Sequence, residues 1–496
     1  MYLGVDCGTS GLKALLAGED GAPIASASRA YAPDRPKANW SEQNPAVWRA
    51  AMAGAIADLR SSAGPALDAL KAIGFSGQMH GAVLVDASNV PVRPAILHND
   101  MRAAAEAAEL DRDHPHLAAV LGVKPMSGFI GPKLLWLSRH EPELRARIAC
   151  VLAPKDYLRL ELCGERATDM SDAAGAWLLD EARRTWSQEA AIACRAAPGW
   201  LPRLLEGSAP AGKIRPAAAA DFGVPRGAIV AAGGGDAAAG AVGLGAVDAG
   251  QAFISLGTAT QLVVTTDRYL SAPERLVHSF AHALPERWYA MAAMLNGAGA
   301  LAFAGRLLGA SPEALEREAA DGYEGPGPLL FLPYLSGERT PLDDPDARGV
   351  LFGMNETTSR ADVARAVMEG VAMTLAEARD CLEGAGARIG RVGLIGGGAR
   401  SGLWTRMIAA ATGFEVARMR AGEIGPALGA ARLARLAATG EPAEAVCRSP
   451  AIADVTQPDP KLADAFAVQR KRFKSLYEAV KAEFRGQPGG LLSNGE

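Results

Sequence analysis

Two short apolar runs open the chain, Tyr2-Leu3-Gly4-Val5-Asp6-Cys7 and Leu12-Lys13-Ala14-Leu15-Leu16, with Gly8-Thr9-Ser10-Gly11 between them. Runs of this length around a Gly-Thr turn predict a β-hairpin, and such a turn presents backbone N–H groups and a hydroxyl. Part of the pattern returns about 250 residues later as Phe253-Ile254-Ser255-Leu256-Gly257-Thr258-Ala259-Thr260-Gln261-Leu262-Val263-Val264. Two such turns face to face can hold the oxygens of a polyphosphate. The first copy carries Asp6 where the second carries Ser255, and one acid beside a phosphate cradle suits Mg-assisted phosphoryl transfer.

Between and after the hairpins the pattern alternates. Strands are expected at 71–76, 81–86, 228–233 and 391–396, and helices around 45–60, 101–110, 133–139, 155–162, 297–308, 361–385, 402–412 and 426–437. Mixed α/β order in each half implies two sheets covered by helices, with the boundary near 244–250, a cleft between the halves and units of 1–244 and 245–496. The final helix is expected to pack back on the first unit. The tail from Gly486 is expected to be mobile.

Composition narrows the class without naming it. A chain of 496 residues, 49% hydrophobic and 21% charged, fits a globular protein of several domains. A net charge of −4 with dispersed Lys and Arg gives no polyanion-binding surface. Six scattered cysteines without a CxxC pair form no metal-site or secreted-disulfide pattern. No apolar run reaches membrane-spanning length, and no basic-then-apolar leader opens the chain, so the expected location is cytoplasmic.

Four further segments bear on chemistry: Gly77-Gln78-Met79-His80-Gly81, Gly233-Gly234-Gly235-Asp236, Gly396-Gly397-Gly398-Ala399-Arg400-Ser401, and the small-residue stretch from Gly422 to Ala431. With Trp40-Ser41-Glu42-Gln43, Pro132-Lys133-Leu134-Leu135-Trp136, Asp169-Met170-Ser171-Asp172 and Leu332-Pro333-Tyr334-Leu335-Ser336-Gly337-Glu338-Arg339-Thr340-Pro341, the set resembles the FGGY family of carbohydrate kinases. The likeness runs over nearly the whole chain and is strongest to the bacterial xylulokinase branch. It implies two ribonuclease-H-like domains of the actin/hexokinase ATPase type flanking a catalytic cleft. It also implies an ATP- and Mg²⁺-dependent phosphorylation of a ketopentose, D-xylulose first among them.

The same likeness assigns roles. Asp236 would be the general base, ionised at neutral pH by its place at a helix N-terminus, and Asp6 would orient Mg²⁺ through water. Thr9, Ser10 and Lys13 would contact the phosphates, with Gly257, Thr258 and Gly299 across from them. Gly397, Gly398 and Ser401 would border the adenosine. Gln78, Met79, His80 and His98 would line or neighbour the sugar. The chain departs from the xylulokinase pattern at Ala237 (commonly Asn), His98 (commonly Trp), Ile130 and Ala259. A small sugar is the expected partner, with no nucleic acid and no membrane; a homodimer is left open.

Each residue also has a structural alternative: Asp236 as a helix cap, Asp6 as an Asx-turn residue, His80 as a packed core histidine, the glycine triplet as relief of crowding. His278 and His282, four apart in an extended stretch, lack a third ligand and read against a metal site. The competing functions are another FGGY sugar or polyol kinase and a silent binder on the same fold.

Overall fold

The computed structural model of the chain describes residues 1–420 and 425–485. Part of the small-residue stretch (Gly422, Glu423 and Ile424) and the tail from Gly486 lie outside the described residues.

Two seven-stranded sheets form the frame. In the first, the hairpin Tyr2–Cys7 and Gly11–Ala17 continues outward to Pro23–Ala30. On its other side Tyr2–Cys7 runs parallel to Ala72–Gly77, followed by Ile229–Ala231 and Pro210–Lys213. The second repeats the plan: the hairpin Ala252–Leu256 and Thr260–Thr266, then Trp288–Met294 and His278–Ala281 on one side. Val392–Ile395, Val416–Met419 and Ile452–Thr456 lie on the other. In both sheets the first hairpin strand pairs in parallel with a later strand, so both turns emerge at the strand ends where α/β ligand sites form.

Burial explains the long helices. In Pro45–Asp68 the apolar face of Trp48, Met52, Ile56 and Leu59 is enclosed, and Asn44 caps the start by accepting from Ala46 N at 3.0 Å. In Arg360–Gly384, Ser359 and Asp362 cap each other's backbone N–H groups in a capping box.

The halves are joined by Asp236–Leu244, which ends at the left-handed Gly245, and by Pro426–Thr439, which lies on the first sheet although it belongs to the second half. Glycine permits this approach: a Cβ on Gly4 would lie 1.9 Å from Ala427 O, and one on Gly74 would lie 2.0 Å from Ala430 O. The final helix, Pro460–Arg485, behaves otherwise than expected. Its Leu462, Phe466, Phe473 and Phe484 join the core of the second half, and Pro426–Thr439 is the segment that returns to the first. A second seam forms where Ser279 N donates to Gly122 O at 2.9 Å and Ala281 N donates to the Glu181 carboxylate at 2.7 Å.

Several strands escaped the sequence pattern, among them Pro23–Ala30, Pro210–Lys213, Trp288–Met294, Val416–Met419 and Ile452–Thr456. Pro23–Ala30 is a largely exposed strand of small residues, and Trp288–Met294 reads WYAMAAM, which local propensity favours as helix. Its strand state comes from seven-residue pairing with Thr260–Thr266. His278–Ala281, in the stretch read as extended, pairs with Trp288–Met294. No helix among the described residues is long and apolar enough to cross a membrane.

Candidate active site

The first turn closes with Gly8 N donating to Gly11 O at 2.9 Å, leaving Ser10 exposed and Thr9 half-buried. Side chains brace it from below. Thr9 Oγ1 donates to Gln78 Oε1 at 3.0 Å, Gln43 Nε2 donates to Thr9 O at 3.0 Å, and the Tyr31 hydroxyl donates to Gly8 O at 2.8 Å. Trp48 Nε1 in turn donates to Gln43 Oε1 at 2.9 Å. Gln78, expected beside the sugar, thus braces the first turn through Thr9 and Gly8.

The second turn closes with Gly257 N donating to Ala259 O at 3.1 Å and exposes Thr258. Its brace is the start of the helix Ala298–Leu308: Ala298 N donates to Gly257 O at 2.7 Å and Gly299 N to Thr258 O at 3.3 Å. Gly299 lies under the turn, where a Cβ would come 2.9 Å from Thr258 O. Glu338 steadies the residues before it, accepting from Leu295 N at 2.6 Å and Asn296 Nδ2 at 3.1 Å. Beside this turn, Gly396, at φ 93°, packs against Leu256, and Gly397 is open to solvent. Ser401 differs from expectation: its buried hydroxyl accepts from Trp404 N at 3.0 Å and caps the helix Gly402–Thr412.

Two carboxylates stand on the first sheet. Asp6 pairs in register with Lys13 on one side and Ser76 on the other, while Gly234 pairs with Ser76 and Gly235 with Gly77. Asp6 and the start of Asp236–Leu244 thus flank one strand, about 10 Å apart across two strand spacings. Burial pushes Asp6 up to about 6, against the pull of Ser76 and Lys13. Asp6 Oδ1 is enclosed without a hydrogen-bond partner.

Asp236 is crowded by protein below and open to the cleft above. That crowding and then the charge of Asp6 push it up to about 7, while the Ala237 N–H, donating to its Oδ1 at 2.7 Å, opposes them. Open water moderates the shift, but its upward direction corrects the expectation of a fully ionised group: the helix N-terminus is outweighed by crowding and a neighbouring like charge.

The sugar side forms around His80, at φ 68°, whose Nδ1 donates to Gly175 O at 2.7 Å. Burial drives this imidazole down to about 3, so it is neutral and offers Nε2 as an acceptor. Lys133, fully enclosed, fixes the surrounding backbone by donating to His80 O at 2.7 Å, Ile96 O at 3.1 Å and Gly128 O at 2.6 Å. Met79 lies under Asp236, where a Cβ on Gly235 would meet its side chain at 2.7 Å. His98 stands at the surface of the cleft, with burial of its ring lowering it to about 4.

Sequence reasoning missed the contribution of the second half to this wall. The Tyr289 hydroxyl lies 3.8 Å from Met79 Sδ, His278 and Phe280 meet Phe129 edge-on with centroids 6.5 Å away, and the Arg339 guanidinium acts on His80, His98 and His278. The Gly337-Glu338-Arg339 stretch was visible, yet nothing local says that it faces histidines over 200 residues away.

The residues present suit a hydrated Mg²⁺. Asp6 offers an enclosed acceptor without a donor, and Asp236 adds a second acid close enough to repel it. No group of three or more ligand side chains exists among the described residues, consistent with an ion held by one or two carboxylates, waters and phosphates.

Known proteins share this architecture. The N-terminal domain model of the FGGY family of carbohydrate kinases matches residues 1–243 and its C-terminal counterpart matches 252–438. A xylulose kinase of Escherichia coli K12 is 44% identical over 483 residues, 97% of this chain and 99% of that protein. One of Bacillus subtilis is 35% identical, covering 87% of each. The crystal structure of a "xyloylose kinase" from Brucella ovis superposes with a TM-score of 0.94 at 43% identity, covering 97% of this chain and 99% of that one. With two matched hairpins, paired acids and both domain models accounted for, the chain belongs to the FGGY family of carbohydrate kinases.

Proposed function

We propose that the chain transfers the γ-phosphoryl group of ATP to the terminal 5-hydroxyl of D-xylulose, giving D-xylulose 5-phosphate. The observation that carries this reading is the pair Asp6 and Asp236 on one cleft floor, beside a Gly-Thr turn that exposes Ser10, in a chain whose second half repeats that turn. Relatives named xylulose kinase at 44% and 35% identity support the choice of sugar. In this reading the unit 1–244 holds the sugar and the first turn, and 245–496 brings the second turn and the adenosine side. The link near 244–250 is the hinge.

Asp236 accepts the proton of the attacking hydroxyl, its carboxylate reaching the cleft because the glycines before it leave the approach open. Thr9, Ser10 and Lys13 meet the phosphates from one side, Gly257 and Thr258 from the other, and Gly397 and Gly398 border the base and ribose. Met79 and His80 orient the sugar. Mg²⁺ bound through water to Asp6 would neutralise charge on the phosphates. A pentulose cyclises only through the hydroxyl that is phosphorylated, so it reacts in open-chain form and needs donors and acceptors along an extended chain. Neutral His80 and the Arg339 guanidinium suit that demand. Ala237 is buried and offers no amide, which makes the sugar panel the informative assay.

The test is ADP release with ketopentoses, ketohexoses, polyols and sugar acids, alongside Asp236→Asn. D-Xylulose should give the highest kcat/KM. Asp236→Asn should lower turnover by about 10²-fold or more with ATP binding unchanged. Near-normal turnover would leave Asp236 a cap and the base assignment wrong.

A further inference from the structure

Three glycines precede Asp236, so the segment leading into it has no side chains of its own to fix where that residue points. One buried ionic cluster grips it at both ends. Lys155, Asp156, Arg159, Asp169 and Asp172 are all enclosed. Lys155 Nζ lies 2.6 Å from Asp156 Oδ1, 2.8 Å from Asp169 Oδ1 and 3.2 Å from Asp172 Oδ2. Arg159 Nη1 reaches Asp156 Oδ1 at 2.9 Å and donates to Ala232 O at 3.1 Å, just ahead of the glycines. At the far end Ser171 Oγ accepts from Gly235 N at 3.0 Å and donates its own proton to Asp169 Oδ2. Asp169 also accepts from Ser171 N at 2.8 Å, which fixes the hydroxyl from its own backbone.

Such a cluster is costly to enclose. Three carboxylates face two cations, and burial raises Asp172 well above the usual carboxylate range against the pull of Lys155. A buried ionic group of this kind adds little net stability over an apolar core. Its contacts run to the segment that leads into Asp236, at Ala232 and Gly235, which points to a second use.

We propose that Ser171, anchored by Asp169 and Lys155, is a positioning residue that fixes the Gly234–Gly235 peptide directly ahead of Asp236 and so aims the Asp236 carboxylate at the sugar hydroxyl. The proposal rests on the reading of Asp236 as the base. Losing the Ser171 hydroxyl frees Gly235 N–H and lets the carboxylate swing, while leaving both phosphate turns untouched.

The experiment measures sugar phosphorylation and sugar-independent ATP hydrolysis for Ser171→Ala, Ser171→Thr, Asp236→Asn and the double variant Ser171→Ala/Asp236→Asn. Ser171→Ala should lower kcat for phosphorylation by about 10- to 30-fold, with the KM for ATP and the slow hydrolysis unchanged. Ser171→Thr, which keeps the hydroxyl, should recover to within about threefold. In the Asp236→Asn background Ser171→Ala should do nothing more, because the group it aims is gone. If Ser171→Ala does not fold, Ser171→Cys, close in size and a weak acceptor, takes its place. A twofold or smaller effect, both activities falling together, or the full loss persisting in Asp236→Asn would overturn the proposal. Full activity of Asp236→Asn alone would instead overturn the base assignment on which it stands.

Discussion

The two Gly-Thr turns share a plan and divide its labour. The first is one residue longer, with Gly8 to Gly11 lying between the last register pair Cys7 and Leu12, against Gly257 to Ala259 between Leu256 and Thr260. The first is braced by side chains, the amides of Gln43 and Gln78 and the hydroxyl of Tyr31. The second is braced by backbone, through the opening N–H groups of Ala298–Leu308. Two residues ahead of each glycine stands Asp6 in one and Ser255 in the other. Their cross-strand partners are Lys13 and Gln261, so a charged pair faces a neutral one. Under the proposed function the first turn brings charge to the phosphates, and the second meets them without any.

Removing the acids should show that asymmetry most strongly. Asp6→Asn keeps the shape of the floor but withdraws the charge beside the phosphates, and kcat should fall by about 10²-fold or more. Ser255→Ala, the matched change in the other turn, should cost at most about threefold. Equal losses would mean that both turns do chemistry and would break the comparison.

The braces separate next. Gly299→Ala would press a methyl group against Thr258 O, 2.9 Å away, and tilt the second turn. The KM for ATP should rise about tenfold while kcat at saturating ATP stays within about threefold. Gln78→Ala removes the acceptor of the Thr9 hydroxyl, a loss of about 1 kcal/mol, so kcat/KM for ATP should fall about fivefold. If Gln78 instead lines the sugar, the KM for xylulose should move and that for ATP should not, a split that steady-state kinetics resolves.

Much of this was legible in the chain because the turns are local. Gly-Thr between two apolar runs, and a Gly-Gly-Gly-Asp run at a strand end, declare themselves within a dozen residues. What stayed hidden depends on distance. Nothing in WYAMAAM says strand until Thr260–Thr266 pairs with it, and nothing near Tyr289 or Arg339 says that they reach residues of the first half. Ser401 looked like a ligand because it follows a glycine turn, yet such a turn also ends one element and starts another, and capping won. Gln78 followed the same logic. Its place beside Met79 and His80 suggested sugar, but its amide bonds Thr9 and Gly8, which lie some seventy residues earlier in the chain.

The smallest effect tests what the charged floor costs. Asp236 and Asp6 are raised to about 7 and about 6 in the folded chain, whereas an unfolded Asp titrates near 4. The folded state thus holds these protons more tightly than the unfolded one. The stabilisation this provides is fully present below about pH 4 and is lost as pH rises through 6 and 7, so above pH 7 the two like charges weigh against the fold. Asp236→Asn removes one of them. Without nucleotide or metal, the variant should melt about 2 °C higher than the parent at pH 8 and show little or no gain at pH 5, where Asp236 is already protonated. Calorimetry at the two pH values reads the difference, with Ser255→Ala as the uncharged control that should show no pH-dependent change. A gain of the same size at pH 5 would mean that Asn packs better than Asp for reasons unrelated to charge, and that the charge of Asp236 carries no stability cost.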